Sequence, residues 1–362
     1  MFTDILILAG GAGERLWPAS DAHMPKQFMS LFEGRSFLQH TVLRALALDP
    51  PGKIWVVTRQ SWVDLVAADI RALIESPGVG TRLQEKILVM GESRGRNTAP
   101  AAAWVCRCLL EQGADSGPPN VLVLPSDHII LDQRAFRADV QKAAGFSAQN
   151  RLMVFGIPPV YPETGYGYIR SGAALDAPGV FEAASFREKP DAQTAAAYIA
   201  AGDYFWNSGL YGFRADFFLE ELMRYSPGVA AAFSDLGEGF FPEDQGGIAV
   251  ITGRGGIEKA YDQTPSISID YAVSEKSTRT AMVRASFDWD DVGSWDSLAK
   301  YPAVASKDVA AVYSAGNFVY SDIPVALCGV EDIVVVVKNG RALVMKKGFG
   351  YQVKEIASLK HF

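Results

Sequence analysis

A run of four apolar residues, Ile5-Leu6-Ile7-Leu8, breaks straight into Ala9-Gly10-Gly11-Ala12-Gly13 and then Glu14-Arg15-Leu16-Trp17-Pro18. A buried strand reads this way when it ends in a loop whose backbone must come close to something. Such a loop offers backbone N–H groups, which suit phosphate oxygens. Arg15 and Lys26, the latter in Pro25-Lys26-Gln27-Phe28, place two cations within short reach. That charge could hold a polyphosphate and stabilise its departure. No Gly-Lys-Ser/Thr closes the loop as in a P-loop, and G-x-G-x-x-G is absent. On these residues alone, a tight strand-to-helix turn with surface Arg and Lys fits as well.

The chain has 362 residues, enough for one large domain plus a small one. A formal net charge of −7 argues against a surface that coats nucleic acid. An anionic substrate would have to be met by a local cluster of Arg and Lys. Cys106, Cys108 and Cys328 form no C-x-x-C and the four His are scattered, so buried reduced thiols are expected, with neither a disulfide framework nor a zinc site. No apolar run approaches a membrane span and no basic leader opens the chain, so a cytoplasmic protein without membrane or nucleic-acid partners is the expectation.

Strands and helices then alternate. Helical spacing over 36–48 is followed by an apolar strand at 54–58, a helix over 62–74 and a strand at 86–90. Glu92 to Pro100 leads into an Ala-rich helix through Leu110. This pattern argues for an α/β fold with a mostly parallel sheet covered on both faces, ligands lying at the strands' carboxyl ends. The strand at 120–125 ends in Ser126-Asp127-His128, where Asp127 could equally cap a helix and His128 pack as an imidazole. Further on come Glu163-Thr164-Gly165-Tyr166-Gly167, a strand at 186–190 containing Glu188-Lys189-Pro190, then Trp206-Asn207-Ser208-Gly209 and Ser268-Ile269-Asp270-Tyr271-Ala272. Asp270 alone could be a turn or cap, and a surface Glu-Lys pair means little by itself. Residues 227–265 assign only loosely to helices and loops.

Phe287-Asp288-Trp289-Asp290-Asp291-Val292-Gly293 packs three acids into four positions. Such a cluster is either a solvated hairpin tip or is offset by a cation. Strand alternation puts Phe287, Trp289 and Asp291 on one face and Asp288 and Asp290 on the other, without saying which faces a ligand. From Val309 onward short β-rich runs follow, with Asn339-Gly340 a two-residue hairpin signal.

Taken together, G-G-x-G-x-R-L-W-P, P-K-Q-F, R-N-T-A-P-A, P-S-D-H, E-T-G-Y-G, E-K-P, W-N-S-G and W-x-D-x-G closely resemble the sugar-1-phosphate nucleotidylyltransferases, in their mannose-1-phosphate guanylyltransferase branch. The resemblance covers about residues 3 to 301. It implies a Rossmann-like, GT-A-like nucleotidyltransferase domain over 1–300, followed by a small β-domain over 301–362, a short left-handed β-helix. It implies an enzyme that joins GTP and mannose 1-phosphate, using Mg2+, for which Mn2+ can substitute. Leu8, Ala9, Gly10, Gly11, Gly13, Arg15, Lys26, Ser126 and Asp127 would bind the nucleotide, and Arg96, Asn97 and Thr98 its guanine. Thr164, Gly165, Tyr166, Glu188, Lys189, Asn207 and Asp270 would bind the sugar phosphate. Asp127 and, in register, Asp291 would hold the metal; Arg15, Lys26, Asp127, Lys189 and Asp291 would be catalytic. The β-domain carries no motif that touches substrate, so its removal is expected to weaken folding or assembly while leaving the site chemistry intact. Oligomeric state stays open, a homodimer being one arrangement the sequence allows, and the sugar could be another hexose or a heptose.

Overall fold

The computed structural model describes residues 1–362 except 12, 22, 77, 114–116, 237–241, 253, 358 and 360–362. Ala12 of the glycine run and part of 227–265 therefore lie outside the described residues. The chain separates into two compact units: residues 1–10, 41–125 and 130–289 form one, residues 11–40, 126–129 and 290–362 the other. The second unit thus takes in the glycine loop, Lys26, Asp127 and Asp291 as well as the C-terminal strands.

The first unit is built on one 11-stranded sheet. In chain order its elements are β1 (Asp4–Leu8), α1 (Phe37–Ala47, from Thr41 on), β2 (Ile54–Arg59), α2 (Val63–Ile74), α3 (Gly80–Lys86), β3 (Ile87–Glu92), α4 (Thr98–Glu111), β4 (Asn120–Pro125), α5 (Gln133–Ser147), β5 (Leu152–Ile157), β6 (Tyr168–Ala174), β7 (Val180–Arg187), α6 (Ala192–Ala201), β8 (Tyr204–Arg214), α7 (Ala215–Tyr225), α8 (Pro227–Ala232), β9 (Glu243–Asp244), β10 (Ala249–Thr252), α9 (Gly256–Gln263) and β11 (Thr280–Arg284). β4, β1, β2, β3 and β10 run parallel to their neighbours in that order, and β8 joins β4 antiparallel. Beyond β8 the sheet is mixed: β5 and β11 pair in parallel, whereas β6 and β7 pair antiparallel.

Strands β1, β2 and β4 are apolar at nearly every position because helices cover both faces. On α2 the buried residues are Val63, Val66, Ala67, Ile70 and Leu73, one helical stripe. α4 is buried almost all round, and its alanines let it approach closely; Trp104 lies edge-on to Tyr261 at 5.7 Å. Trp55 is fully buried and donates from Nε1 to Asp4 Oδ1 at 3.0 Å, which also takes the N–H of Lys53. Trp55→Ala is expected to cost about 3–5 kcal/mol, read as a lowered melting temperature with near-native turnover at low temperature.

The second unit holds α10 (Trp295–Leu298), β12 (Val309–Val312), β13 (Phe318–Ser321), β14 (Val325–Cys328), β15 (Ile333–Lys338), β16 (Arg341–Lys346) and α11 (Val353–Ala357). Val309 pairs in parallel with Val325 and Phe318 with Val334, the same 16-residue offset that Ser314 keeps to Val330. This repeated offset is solenoid-like. Then β15 turns back into β16 antiparallel through Asn339-Gly340, both at positive φ (55° and 71°), as a two-residue hairpin turn demands.

One apolar core runs through this unit. Leu16, Trp17, Met29, Phe37, Ile129, Val292 and Trp295 pack in the same cluster as Phe318, Tyr320, Val334, Val336, Leu343 and Met345. Polar ties reinforce it: Tyr320 donates to the Ser30 carbonyl at 3.2 Å, Asn339 to that of Pro18 at 3.2 Å, and Trp295 Nε1 to that of Trp17 at 2.8 Å. The C-terminal strands are therefore the floor on which the segment around Lys26 rests.

Candidate active site

In the second unit, Gly13, Arg15, Lys26, Asp127, His128, Asp291 and Gly293 line one cavity of about 180 Å³. Gly13 sits at φ 65°, and a Cβ there would come within 2.3 Å of Lys26 Cβ. Only glycine lets the loop pass the lysine stem. Pro25 leads into a single turn of 3-10 helix, Lys26–Phe28, which delivers Lys26 inward.

Asp127 and Asp291 meet because Ile129 and Asp290 exchange both backbone hydrogen bonds, at 2.9 and 3.1 Å, pinning one segment to the other. Lys26 Nζ donates to Asp127 Oδ2 at 2.9 Å and to the Asp291 carbonyl, and lies 5.1 Å from the Phe37 ring centre. Its side chain is 6% exposed, that of Asp127 35%. Burial alone would raise the Asp127 carboxyl; the charges of Lys26 and His128 and the Lys26 hydrogen bond outweigh it and hold the group below its ordinary value. Arg15 is exposed and makes no hydrogen bond or ion pair among the described residues.

The three clustered acids separate by partner. In the second unit, Asp290 accepts from the Val292 N–H at 2.7 Å and pairs loosely with Lys300 at 3.5 Å. That contact holds Val292 at φ 47°, a conformation unfavourable for a β-branched residue. Asp291 accepts from the Gly293 N–H at 3.2 Å through Oδ1, and its Oδ2 and the Arg15 Nη1 lie 3.1 and 3.3 Å from where a Gly293 Cβ would stand. In the first unit, Asp288 is committed to the backbone N–H groups of Leu131 and Asp132, at 3.0 and 2.7 Å. Among the described residues no group of three or more His, Cys, Asp or Glu could hold a metal. Two carboxylates on one cavity suit a hard cation that completes its shell with phosphate oxygens and water.

Several further candidates belong to the first unit. β7 ends at Arg187, so Glu188 and Lys189 lie just past the strand and not within it, with Lys189 at φ 47°. Glu188 reaches back over Gly167, where a Cβ would meet its Oε2 at 2.4 Å. Lys189 Nζ donates to Glu188 Oε1 at 2.9 Å, and Glu275 accepts from the Glu188 N–H at 2.8 Å. Asp270 opens a π-helical turn and accepts from Asn207 at 2.9 Å and from the Tyr211 hydroxyl. Burial, and then the neighbouring charge of Asp270, raise the Glu188 carboxyl; burial likewise raises Asp270 against the hydrogen bonds of Tyr211 and Ser268. Tyr166 packs edge-on against Trp206 and Trp289, at 5.3 and 5.4 Å, while Thr164 and Gly165 are exposed.

Arg96 and Thr98 turn out to be committed to the backbone. Arg96 Nε donates to the Tyr261 carbonyl at 2.9 Å, and the Thr98 hydroxyl accepts from the Ile269 N–H at 2.9 Å. Asn97, at φ 69° and exposed, accepts from the Thr98 N–H at the start of α4. Leu8 and Ala9 carry the chain out of β1, where the Ala9 carbonyl accepts from Thr58 and that of Gly10 from Arg59 Nε at 3.0 Å.

Sequence reasoning missed Arg59, Glu92, His128, Tyr211 and Glu275 as neighbours of these groups. For Glu92 a signal existed: a lone acid ending an otherwise apolar strand. It is 5% exposed, accepts from the Tyr261 hydroxyl at 2.9 Å, and its Oε2 lies 3.3 Å from where a Gly10 Cβ would stand. Burial raises its carboxyl to about 7 against the pull of Tyr261 and Arg59. A raised acid keeps its proton in the native state after the unfolded chain has lost it, so stability falls as pH rises between roughly 4.5 and 7. Melts of Glu92→Gln are expected to lack that decline.

Comparison with known proteins gives three findings. The family model for nucleotidyl transferases matches residues 5–307. Among curated relatives, the xanthan biosynthesis protein XanB of Xanthomonas campestris pv. campestris (strain B100) is 38% identical over 360 residues, and the mannose-1-phosphate guanylyltransferase of Escherichia coli (strain K12) 37% identical over 361. These alignments cover 98% and 97% of this chain and 72% of each relative. A crystal structure from Thermus thermophilus, described as a mannose-1-phosphate geranyltransferase, superposes with a TM-score of 0.79 at 31% identity, covering 98% of both chains.

Proposed function

The chain belongs to the nucleotidyl transferase family, and we propose that it transfers GMP from GTP to α-D-mannose 1-phosphate, forming GDP-mannose and pyrophosphate. The observation that carries this reading is the cavity at the glycine loop, where an exposed arginine stands with Asp127 and Asp291 around a buried lysine that donates to the Asp127 carboxylate and to the Asp291 backbone carbonyl. An oxygen of the sugar phosphate attacks the α-phosphorus in line; that P–O bond forms as the bond to the β-phosphate oxygen breaks, and pyrophosphate leaves with the electron pair. The protein must hold two anions that repel each other and stabilise the charge on the leaving group.

Arg15 and Lys26 bind the triphosphate and then the pyrophosphate, and Lys189 holds the incoming phosphate. The loop from Glu92 to Thr98, fixed by its ties to residues 261–269, contacts the base. Glu188, Asn207 and Asp270 accept from and donate to sugar hydroxyls. Asp127 and Asp291 would hold a divalent cation, read here as Mg2+ with Mn2+ able to substitute, which neutralises phosphate charge when bound. Residues 1–300 form the catalytic part and 301–362 the β-part that supports it, and a triphosphate substrate implies a cytoplasmic reaction.

Product analysis with GTP and a panel of sugar 1-phosphates tests the assignment. GDP-mannose should form fastest, and faster turnover of another hexose or a heptose 1-phosphate would reassign the sugar. Lys189→Met should raise KM for mannose 1-phosphate far more than KM for GTP, by the loss of a charge-assisted hydrogen bond, about 1.5–3 kcal/mol. Equal effects on both would move Lys189 to the nucleotide.

A further inference from the structure

We propose that Lys26 is a resident stand-in for the divalent cation, its ammonium occupying the Asp127 carboxylate until metal and triphosphate arrive together. This rests on reading Asp127 as a metal ligand.

The ammonium is buried and doubly held, donating to Asp127 Oδ2 at 2.9 Å and to the carbonyl of Asp291, with the Phe37 ring beside it. Its stem is clamped where Gly13 passes. Arg15, lining the same cavity, is exposed and has no such partners among the described residues. The two cations therefore differ in state: Arg15 is exposed and open to an anion, whereas Lys26 already serves the Asp127 carboxylate and the Asp291 carbonyl. Asp127 and Asp291 line the same cavity of about 180 Å³, and like charges brought together there repel. An ammonium relieves this with a single charge.

A divalent ion on Asp127 would stand beside that ammonium on the same carboxylate, and two cations that close repel each other strongly in a nearly buried site. Metal entry therefore works against Lys26 and favours its displacement. A nearly buried ammonium that loses its acceptors is costly unless others replace them, and triphosphate oxygens are such acceptors. The consequence is positive coupling: metal alone binds weakly because it must strand Lys26, and triphosphate removes that penalty.

Titration of Mn2+ into the full chain, read by the EPR signal of the free ion, tests this in wild type and Lys26→Met. Without nucleotide the variant is expected to bind Mn2+ about tenfold more tightly than wild type. With a non-hydrolysable GTP analogue the wild type should gain more affinity than the variant. A variant that binds Mn2+ alone no more tightly than wild type, while both bind it with the analogue, would overturn the stand-in role. Absence of Mn2+ binding under every condition would instead overturn the metal reading of Asp127.

Brief acetylation of the wild type, quantified at Lys26 by mass spectrometry, gives an answer that does not depend on the variant folding. Labelling should rise several-fold at saturating Mn2+ and fall when inorganic tripolyphosphate is added. Labelling unchanged by Mn2+ would equally overturn the proposal.

Discussion

Asp127→Asn is expected to lower turnover about 10²- to 10³-fold, with a matching loss of divalent-metal activation. Asp291→Asn should do the same, because both carboxylates line the cavity that Lys26 enters. The two variants differ in stability. Asp127→Asn removes the charged partner of a nearly buried ammonium, a loss of about 1–3 kcal/mol once the partial exposure of the carboxylate is discounted. That stabilisation is complete above the ordinary carboxylate range and is lost as pH falls from there through the lower value at which the native group titrates. Asp291 touches Lys26 through its backbone carbonyl, which Asn keeps, so its variant should melt close to wild type. Asp288→Asn and Asp290→Asn should retain most activity, because those carboxylates are spent on the backbone N–H groups of residues 131, 132 and 292. A metal-titration series in which Asp290→Asn loses metal dependence and Asp291→Asn keeps it would exchange their roles.

Ending the chain at Lys307 should abolish activity, against the expectation from sequence that the site chemistry would survive. Phe318, Tyr320, Val334, Val336, Leu343, Met345 and Val353 share one core with Leu16, Trp17, Phe37 and Trp295. Each such side chain stabilises by about 1.5–3 kcal/mol, so removing all seven is comparable to or larger than the roughly 5–15 kcal/mol by which a domain is stable. The segment carrying Lys26 would lose its support even though every substrate-facing residue remains. Hydrogen exchange should show residues 13–37 unprotected in the truncated chain, together with loss of GTP binding. A soluble truncation with native protection there and normal turnover would restore the independent β-domain.

Much of the sheet was legible because buried parallel strands are apolar runs and each is followed by its helix. The Asn339-Gly340 hairpin was legible for a similar reason: two residues at positive φ require that chemistry. What the sequence did not show was which distant segments meet. Lys26 and Asp291 are 265 positions apart, and no local pattern encodes that their segments share a core with β13 and β15. Alternation left the choice among Asp288, Asp290 and Asp291 open and only the family register pointed to Asp291; the segment is in fact no strand, since β11 ends at Arg284 and Asp290 makes only an isolated bridge to Ile129. Glu92 was passed over for a related reason: its neighbour Tyr261 lies 169 positions on. Arg96 and Thr98 carry the donors and acceptors that a base contact would use, and their side chains also hold the loop to residues 261 and 269, a tie no local pattern encodes.

Pyrophosphate release by the purified full chain, with mannose 1-phosphate and each of GTP, dTTP and UTP at equal concentration, tests guanylyl transfer most directly. Release should be fastest with GTP, should require both substrates and a divalent cation, and should fall sharply in Asp127→Asn. Faster release with dTTP or UTP, or none with any triphosphate, would contradict it.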